Sequence, residues 1–252
     1  MTKKKQAKSN KKKIIIASIC GAFAFVVLVI GIYFASYYRA DSVALNSLKS
    51  TDNVSVEQYD NEIWFTSHDQ ADDLLVFYPG ARVEYKAYAP LMSRLAKAGL
   101  SCVVVKMPFN FAILNQDAFR DVVSRLGEGY RPYEHLYIGG HSMGGAMAAK
   151  YAAEHPEGIE GLVMLAAYPT AKLPDDMKVL EIYGSNDNVI NREKISESAK
   201  YLPSSAIVYE IPGGNHAQFG SYGEQKGDGK ASIYADEQLD ITVQYIMDMI
   251  EE

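Results

Sequence analysis

Short apolar runs, typical of buried strands, alternate with amphipathic helical patterns through most of this 252-residue chain. Strands are predicted at residues 74–78, 101–105, 135–139, 161–167, 179–183 and 206–211. Helices are predicted at residues 87–98, 116–126, 146–154, 192–201 and 236–250. This alternation predicts an α/β fold with a mostly parallel sheet and helices on both faces. Residues 53–66, which carry the only tryptophan, Trp64, are predicted to add one or two antiparallel edge strands.

The pentapeptide Gly-His-Ser-Met-Gly at residues 140–144 lies between a predicted strand and an alanine-rich predicted helix. On such a turn, Gly-x-Ser-x-Gly raises the serine hydroxyl above the sheet edge, because the glycines let the backbone pass close to its neighbours. The N–H groups at the start of the helix favour the negative oxygen that forms when a serine attacks a carbonyl. The pattern alone also fits a glycine-rich turn with an ordinary serine. Its context predicts Ser142 as a nucleophile.

Two further residues follow later predicted strands on glycine-containing loops. Asp187 follows the fifth predicted strand and His216 the sixth, so both are expected at the same edge of the sheet as Ser142. A serine needs a neutral imidazole to take its proton, and the imidazole needs a carboxylate to fix its tautomer. The sequence therefore predicts Ser142 as nucleophile, His216 as general base and acid, and Asp187 as the orienting acid. If Asp187 is only a turn residue, the alternative acid is Asp175 or Asp176.

An oxyanion hole in such an arrangement takes one backbone N–H from the residue after the nucleophile and another from the loop after an earlier strand. The first is Met143. The second is expected after the strand at 74–78, where Ala81 is the preferred donor and Gly80 and Arg82 are the alternatives one residue away.

Several segments together carry a family resemblance. They are Phe-Tyr-Pro-Gly-Ala-Arg-Val at 77–83, Ala-Tyr-Ala-Pro-Leu at 87–91, Met-Pro-Phe-Asn at 107–110, Gly-His-Ser-Met-Gly-Gly at 140–145, Gly-Asn-His-Ala-Gln-Phe-Gly at 214–220, Tyr-Gly at 222–223 and Gly-Asp at 227–228. From about Tyr59 onwards, the chain resembles the small bacterial α/β-hydrolases of the dienelactone-hydrolase-like or carboxylesterase-like type, particularly a membrane-anchored subgroup. The resemblance implies the same three residues, Ser142, Asp187 and His216, and an esterase-like activity.

The substrate pocket is expected to form without a cap domain. Only about ten residues separate the predicted strands at 161–167 and 179–183, where many related hydrolases insert a helical cap. The pocket walls should therefore come from residues 108–115 and 217–230. The candidate pocket residues are Phe109, Phe219 and Tyr222, with Arg82 at the mouth and His141 packing beside the nucleophile or lining the pocket.

The first forty residues predict a membrane anchor. Seven lysines among residues 1–13 precede an uncharged stretch at 14–38, and about 20 apolar residues suffice to cross a hydrocarbon core of about 30 Å. The length of the stretch, with tyrosines and Arg39 at its far end, favours an uncleaved anchor over a cleaved signal peptide. The lysines place the N-terminus in the cytoplasm, and hence the following domain outside. The predicted organisation is a cytoplasmic tail at 1–13, a transmembrane helix at 14–38, a linker at 39–58 and an α/β-hydrolase domain at 59–252.

Charge and motifs limit the partners of this domain. Without the seven N-terminal lysines, 18 basic residues face 31 acidic ones, a net charge of −13 that should repel nucleic acid. Neither a phosphate-binding Gly-x-x-x-x-Gly-Lys-Ser/Thr nor a dinucleotide motif occurs, so no cofactor is expected. Cys20 falls in the apolar stretch and Cys102 in a buried strand, so neither a disulfide nor a cysteine metal site is expected. Asp228, between two glycines, is interpreted as a turn residue rather than a calcium ligand.

These features predict a membrane-anchored, extracytoplasmic serine hydrolase that cleaves a small-molecule or lipid-like ester through an acyl-Ser142 intermediate. An amidase, peptidase or acyltransferase would use the same residues and stays open as an alternative. A catalytically silent hydrolase-fold domain that binds a ligand is the alternative from another class.

Overall fold

A computed structural model of the chain describes residues 2–68, 72–126 and 133–251. Its contacts divide the chain into two compact units, Met1–Tyr37 and Tyr38–Glu252. The first unit contains one long helix, α1, at Thr2–Ala35. The part Ser18–Ala35 has a mean hydropathy of 2.4. By its length and composition, this part could cross a membrane.

The helix α1 begins twelve residues before the predicted apolar stretch, at Thr2, and ends at Ala35 rather than at residue 38. Lysine, glutamine and alanine are good helix formers, so nothing in the lysine-rich segment stops the helix. The assignment of this segment as a cytoplasmic tail, and the other predicted domain limits, stay predictions.

The second unit is built on an eight-stranded sheet in the order β1-β2-β4-β3-β5-β6-β7-β8. Six neighbouring strands are parallel, in the order β4, β3, β5, β6, β7 and β8. Strand β2 pairs antiparallel with both β4 and β1. The strands are β1 Val54–Gln58, β2 Glu62–Ser67, β3 Asp73–Tyr78, β4 Ser101–Val105, β5 His135–His141, β6 Gly161–Leu165, β7 Lys178–Gly184 and β8 Ile207–Ile211. The mostly parallel sheet and the antiparallel edge strands predicted from the apolar runs are thus confirmed.

Helices cover both faces of this sheet, as the alternating pattern predicts. They are α2 Ser42–Asn46, α3 Ala89–Lys97, α4 Ala118–Val123, α5 Met143–Glu154, α6 Arg192–Ser198 and α7 Ala235–Glu251. The predicted helix at 87–98 begins instead as a 3-10 helix, Tyr85–Tyr88, because Pro90 lacks an N–H and fits only the first turn of α3. The segment between β6 and β7 contains no helix, so no cap is inserted there.

Two apolar clusters fill the space between the sheet and the helices. One contains Leu91 and Leu95 of α3 with Leu239 and Ile246 of α7, all packed against the sheet. The other contains Phe119 and Val122 of α4 with Ala148, Ala149 and Ala152 of α5. Burial on both sides explains why the strands read as continuous apolar runs rather than as alternating ones.

Candidate active site

The loops that follow β3, β5, β7 and β8 leave the sheet at one edge. In the parallel register Tyr78 pairs with Gly140, His141 with Leu165, and Gly184 with Ile211, so the carboxyl ends of these strands are level. Ala81, Ser142, Asp187 and His216 each lie a few residues beyond those ends. The carboxyl edge of a parallel sheet is where α/β proteins place their ligands.

Ser142 is the turn residue between β5 and α5. Its backbone has φ 54° and ψ −123°, a conformation that residues with a side chain rarely adopt. The turn is held by the Ser142 N–H, which donates to Leu165 O at 2.8 Å, and by the Ser142 carbonyl, which accepts from Ala146 N at 3.0 Å. Strain of this kind costs on the order of 1–3 kcal/mol and persists where the surrounding structure enforces it. The half-buried Ser142 therefore sits on the sharp strand-to-helix turn that the Gly-x-Ser-x-Gly pattern predicts.

The first turn of α5 packs directly against the end of β3. A Cβ at Gly144 would lie 2.2 Å from Tyr78 O and 2.4 Å from Pro79 O, so no side chain fits there. This close approach brings the start of α5, which carries the Met143 N–H, beside the loop that carries the Ala81 N–H. Within the described residues neither N–H has a hydrogen-bond acceptor.

The two alternative oxyanion donors are already committed to other acceptors. The Gly80 N–H donates to Tyr88 Oη at 2.9 Å, and the Arg82 N–H donates to Asn110 O at 2.8 Å. Ala81 is thus the residue of this loop whose N–H is available, as an oxyanion hole requires. The positive φ of Arg82, 58°, shows how sharply the chain turns here.

Asp187 and His216 form a buried pair. His216 Nδ1 lies 2.7 Å from Asp187 Oδ2, and their side chains are only 2% and 0% exposed. The other oxygen, Oδ1, accepts the N–H groups of Val189 at 2.8 Å and Ile190 at 2.9 Å, so the whole carboxylate is held. Since a carboxylate only accepts, Nδ1 carries the proton and Nε2 is left as the basic nitrogen.

The alternative acids lie elsewhere on the surface. Asp175 is exposed and forms an ion pair with Lys172 at 3.1 Å. Asp176 beside it is also exposed. Of the three candidate carboxylates, Asp187 is the one that the structure brings to His216.

His141 and Tyr88 connect the loop after β3 to the His216 loop. Tyr88 Oη, which accepts the Gly80 N–H, lies 2.8 Å from His141 Nδ1. The His141 ring is fully buried, 4.5 Å from the His216 ring between centroids. Burial, together with the nearby His216, holds the pKa of His141 well below its usual value, which favours the neutral form of this ring.

Two residues that support the site were not found by sequence reasoning. One is Tyr88, which lies in a predicted helix and in a segment that carries the family resemblance, but to which the sequence assigns no role in the site. The other is Gln238 of α7, whose Oε1 accepts from Asn215 N at 3.0 Å and whose Nε2 donates to Asn215 O at 2.8 Å. This fully buried amide fixes the peptide directly before His216. A tyrosine or glutamine on a helix carries no local signal of such a contact.

The predicted pocket residues occupy different environments. Phe109 is 65% exposed, with a positive φ of 51°. Phe219 is fully buried and Tyr222 is 6% exposed, so both pack inside the domain rather than on an open pocket wall. His141 likewise packs behind Ser142, with its ring 5.7 Å from that of Phe219. Roles in substrate binding for these residues and for Arg82 stay predictions.

A cleft of about 780 Å³ lies beside the His216 loop. Its lining includes Asp41, Asn215, Ala217 and Tyr234, but none of the candidate catalytic or oxyanion residues. The described residues contain no group of three or more His, Cys, Asp or Glu side chains able to hold a metal ion.

Comparison with known proteins shows the family of this chain. The sequence model of the alpha/beta hydrolase family matches residues 74–240, and the chain therefore belongs to the α/β-hydrolase family. A putative non-heme haloperoxidase of Mycobacterium phage D29 is 30% identical over 114 residues, which span 42% of this chain and 40% of that protein.

Solved esterases share the fold. Est1E from Butyrivibrio proteoclasticus has a TM-score of 0.55 at 13% identity and covers 80% of this chain and 100% of its own. An esterase from Pyrobaculum calidifontis has a TM-score of 0.61 at 13% identity, covering 82% of this chain and 89% of its own. The predicted class, a small α/β-hydrolase, is confirmed.

Proposed function

We propose that this α/β-hydrolase is a serine hydrolase that cleaves carboxylic esters through an acyl-Ser142 intermediate. The observation that carries the proposal is the buried Asp187–His216 pair, placed at the same sheet edge as the strained Ser142 elbow. Two N–H groups without acceptors in the described residues, those of Met143 and Ala81, complete the set of groups that acyl transfer needs.

In the proposed reaction, Ser142 Oγ attacks the ester carbonyl carbon while His216 Nε2 takes the hydroxyl proton. Asp187 holds His216 in the required tautomer and stabilises the imidazolium. The Met143 and Ala81 N–H groups stabilise the negative oxygen of the tetrahedral intermediate. The C–O bond to the alcohol then breaks, and the departing oxygen takes the proton from His216. Water repeats the sequence on the acyl-enzyme and releases the carboxylic acid.

A fluorophosphonate probe tests the nucleophile. The full-length protein in detergent should be labelled once, on the tryptic peptide that contains Ser142, and the Ser142→Ala variant should not be labelled. Labelling of both proteins at the same rate, or of neither, would contradict the proposal. A protein that folds but ignores the probe would favour a ligand-binding domain.

The matched haloperoxidase relative favours a second candidate for the acyl acceptor. Hydrogen peroxide in place of water would remove the acyl group as a peracid, and an amine or alcohol acceptor would make the protein an acyltransferase. Product analysis in the presence of each acceptor separates these reactions from hydrolysis. An amide substrate in place of the ester tests the amidase and peptidase alternatives.

We also propose that α1 anchors the enzyme in a membrane as a single-pass helix, with a cytoplasmic N-terminus and an external catalytic domain. The support is the apolar span Ser18–Ala35 and the seven lysines that precede it. A small-molecule or lipid-like ester would then be met outside the cytoplasm.

A further inference from the structure

Asp228 binds both loops that carry the candidate acid and base. Its Oδ2 accepts the Ala217 N–H at 2.9 Å, and its Oδ1 accepts the Asn188 N–H at 3.4 Å. Ala217 directly follows His216, and Asn188 directly follows Asp187. A single carboxylate thus accepts hydrogen bonds from the peptides next to both residues of the pair.

Two asparagines, which precede Asp187 and His216, donate hydrogen bonds to the residues that follow Asp228. Asn186, directly before Asp187, donates from Nδ2 to Lys230 O at 3.0 Å. Asn215, directly before His216, donates from Nδ2 to Gly229 O at 2.8 Å. Both flanks of Asp187 and both flanks of His216 are therefore bonded to residues 228–230.

The glycines on either side of Asp228 allow this close contact. A Cβ at Gly229 would lie 1.9 Å from Asn186 O, and Gly227 has a φ of 90°. The Gly229 N–H also donates to Asp228 Oδ1 at 2.8 Å. That last bond is what a simple turn needs, whereas the bonds to Asn188 and Ala217 reach two other loops.

From this arrangement we infer that Asp228 is a positioning residue for the catalytic pair. The inference rests on the proposed function and extends it. Asp187 and His216 come from loops after different strands, so their separation depends on what holds the two loops together. A displacement of about 1 Å at a catalytic group can cost roughly 100-fold in rate. Hydrogen bonds that both loops donate to the single carboxyl group of Asp228 resist that displacement.

The test compares Asp228→Ala and Asp228→Asn with wild type and with Ser142→Ala, all as full-length protein in detergent. The matched control is Asp248→Asn, since Asp248 is an exposed aspartate of α7 that accepts a bond from Gln244. The readouts are kcat and KM for a p-nitrophenyl ester, the rate of fluorophosphonate labelling, and the folded fraction from the melting curve.

We expect kcat per folded Asp228→Ala molecule to fall roughly 30- to 100-fold, with KM within threefold of wild type and labelling slowed in parallel. The kcat of Asp228→Asn should fall less. Its amide keeps one oxygen that accepts a hydrogen bond, although its N–H₂ group then faces the second of the two N–H donors, Ala217 and Asn188. Asp248→Asn should match wild type. A folded Asp228→Ala with kcat within threefold of wild type, or failure of both Asp228 variants to fold, overturns the inference in favour of a structural turn. If wild type shows no Ser142-dependent hydrolysis, the proposed function itself fails, and that outcome is distinct.

Discussion

At the residue scale, the contact with Asp187 determines which ring nitrogen of His216, the proposed base, carries the proton. When His216 Nδ1 donates to Asp187 Oδ2, Nε2 is the nitrogen of the neutral ring that can accept a proton. In Asp187→Asn the amide group can instead donate to Nδ1, and the wrong tautomer is favoured. We expect kcat to fall by about 10⁴-fold with little change in KM. The control Asp175→Asn, on an exposed aspartate, should keep wild-type activity, and a loss of less than tenfold in Asp187→Asn would contradict the assignment.

The hydroxyl group of Tyr88 contacts two residues of the site, while its ring packs in the core against Phe77. Tyr88→Phe would leave the buried Gly80 N–H and His141 Nδ1 without their partner. Loss of a buried partner costs about 1–3 kcal/mol, and the Ala81 loop would be less firmly held. The melting temperature and kcat should both fall. A variant with unchanged kcat would show that the Gly80 contact does not position the neighbouring oxyanion donor.

Glu181 of β7 is a separate residue-scale case, because its buried carboxyl oxygens have no hydrogen-bond partner among the described residues. Burial raises the pKa of Glu181 from 4.5 to about 7. The folded protein thus holds this proton more tightly than the unfolded chain, and stability falls as pH rises from about 4.5 to about 7. The free energy of unfolding falls by about 3 kcal/mol in total, and it stays lower at higher pH.

In Glu181→Gln this pH dependence should disappear. The melting temperature of the variant, relative to that of wild type, should therefore be higher at pH 8 than at pH 5. Glu154→Gln, on an exposed glutamate of α5, is the control. If the melting temperature of Glu181→Gln differs from wild type by the same amount at both pH values, the raised pKa of Glu181 is contradicted.

At the element scale, the contact between α5 and the end of β3 brings together the two segments that carry the proposed oxyanion donors, Met143 and Ala81. Gly144→Ala would place a Cβ 2.2 Å from Tyr78 O and push the helix away. Overpacking of this kind costs typically 1–3 kcal/mol, and we expect kcat to fall at least tenfold. Gly21→Ala is the control, since a Cβ there meets nothing within 4 Å. A Gly144→Ala protein with wild-type kcat and melting temperature would contradict this role.

Elements were predictable where burial determines the sequence. Strand β4 at Ser101–Val105 has the predicted limits, because all five residues are buried and apolar or small. Helix ends were less predictable: α4 covers only Ala118–Val123 of the predicted 116–126, since polar residues fit both a helix and a loop. In the site, a motif and strand order suffice to propose Ser142, Asp187 and His216. The contacts of Tyr88, Gln238 and Asp228 depend on tertiary packing between distant segments, which no local pattern encodes.

At the scale of the whole molecule, the anchor proposal predicts the side of the membrane on which each end lies. The Asp248→Cys variant should react with a membrane-impermeant maleimide in intact cells. The Ser9→Cys variant should react with the same reagent only after lysis. Wild type is the background control, because Cys102 is buried and Cys20 lies in the apolar helix. Reaction of Ser9→Cys in intact cells, or of neither variant before lysis, would contradict the proposed topology.

The proposed function requires that Ser142 performs acyl transfer on esters. Its most direct test is hydrolysis of p-nitrophenyl esters from acetate to decanoate by wild type and Ser142→Ala side by side. We expect wild type to hydrolyse part of the series with a chain-length optimum, and the variant to lose about 10⁴-fold or more in kcat. Equal activity of the two proteins, or an inert wild type across the whole series, would contradict the claim.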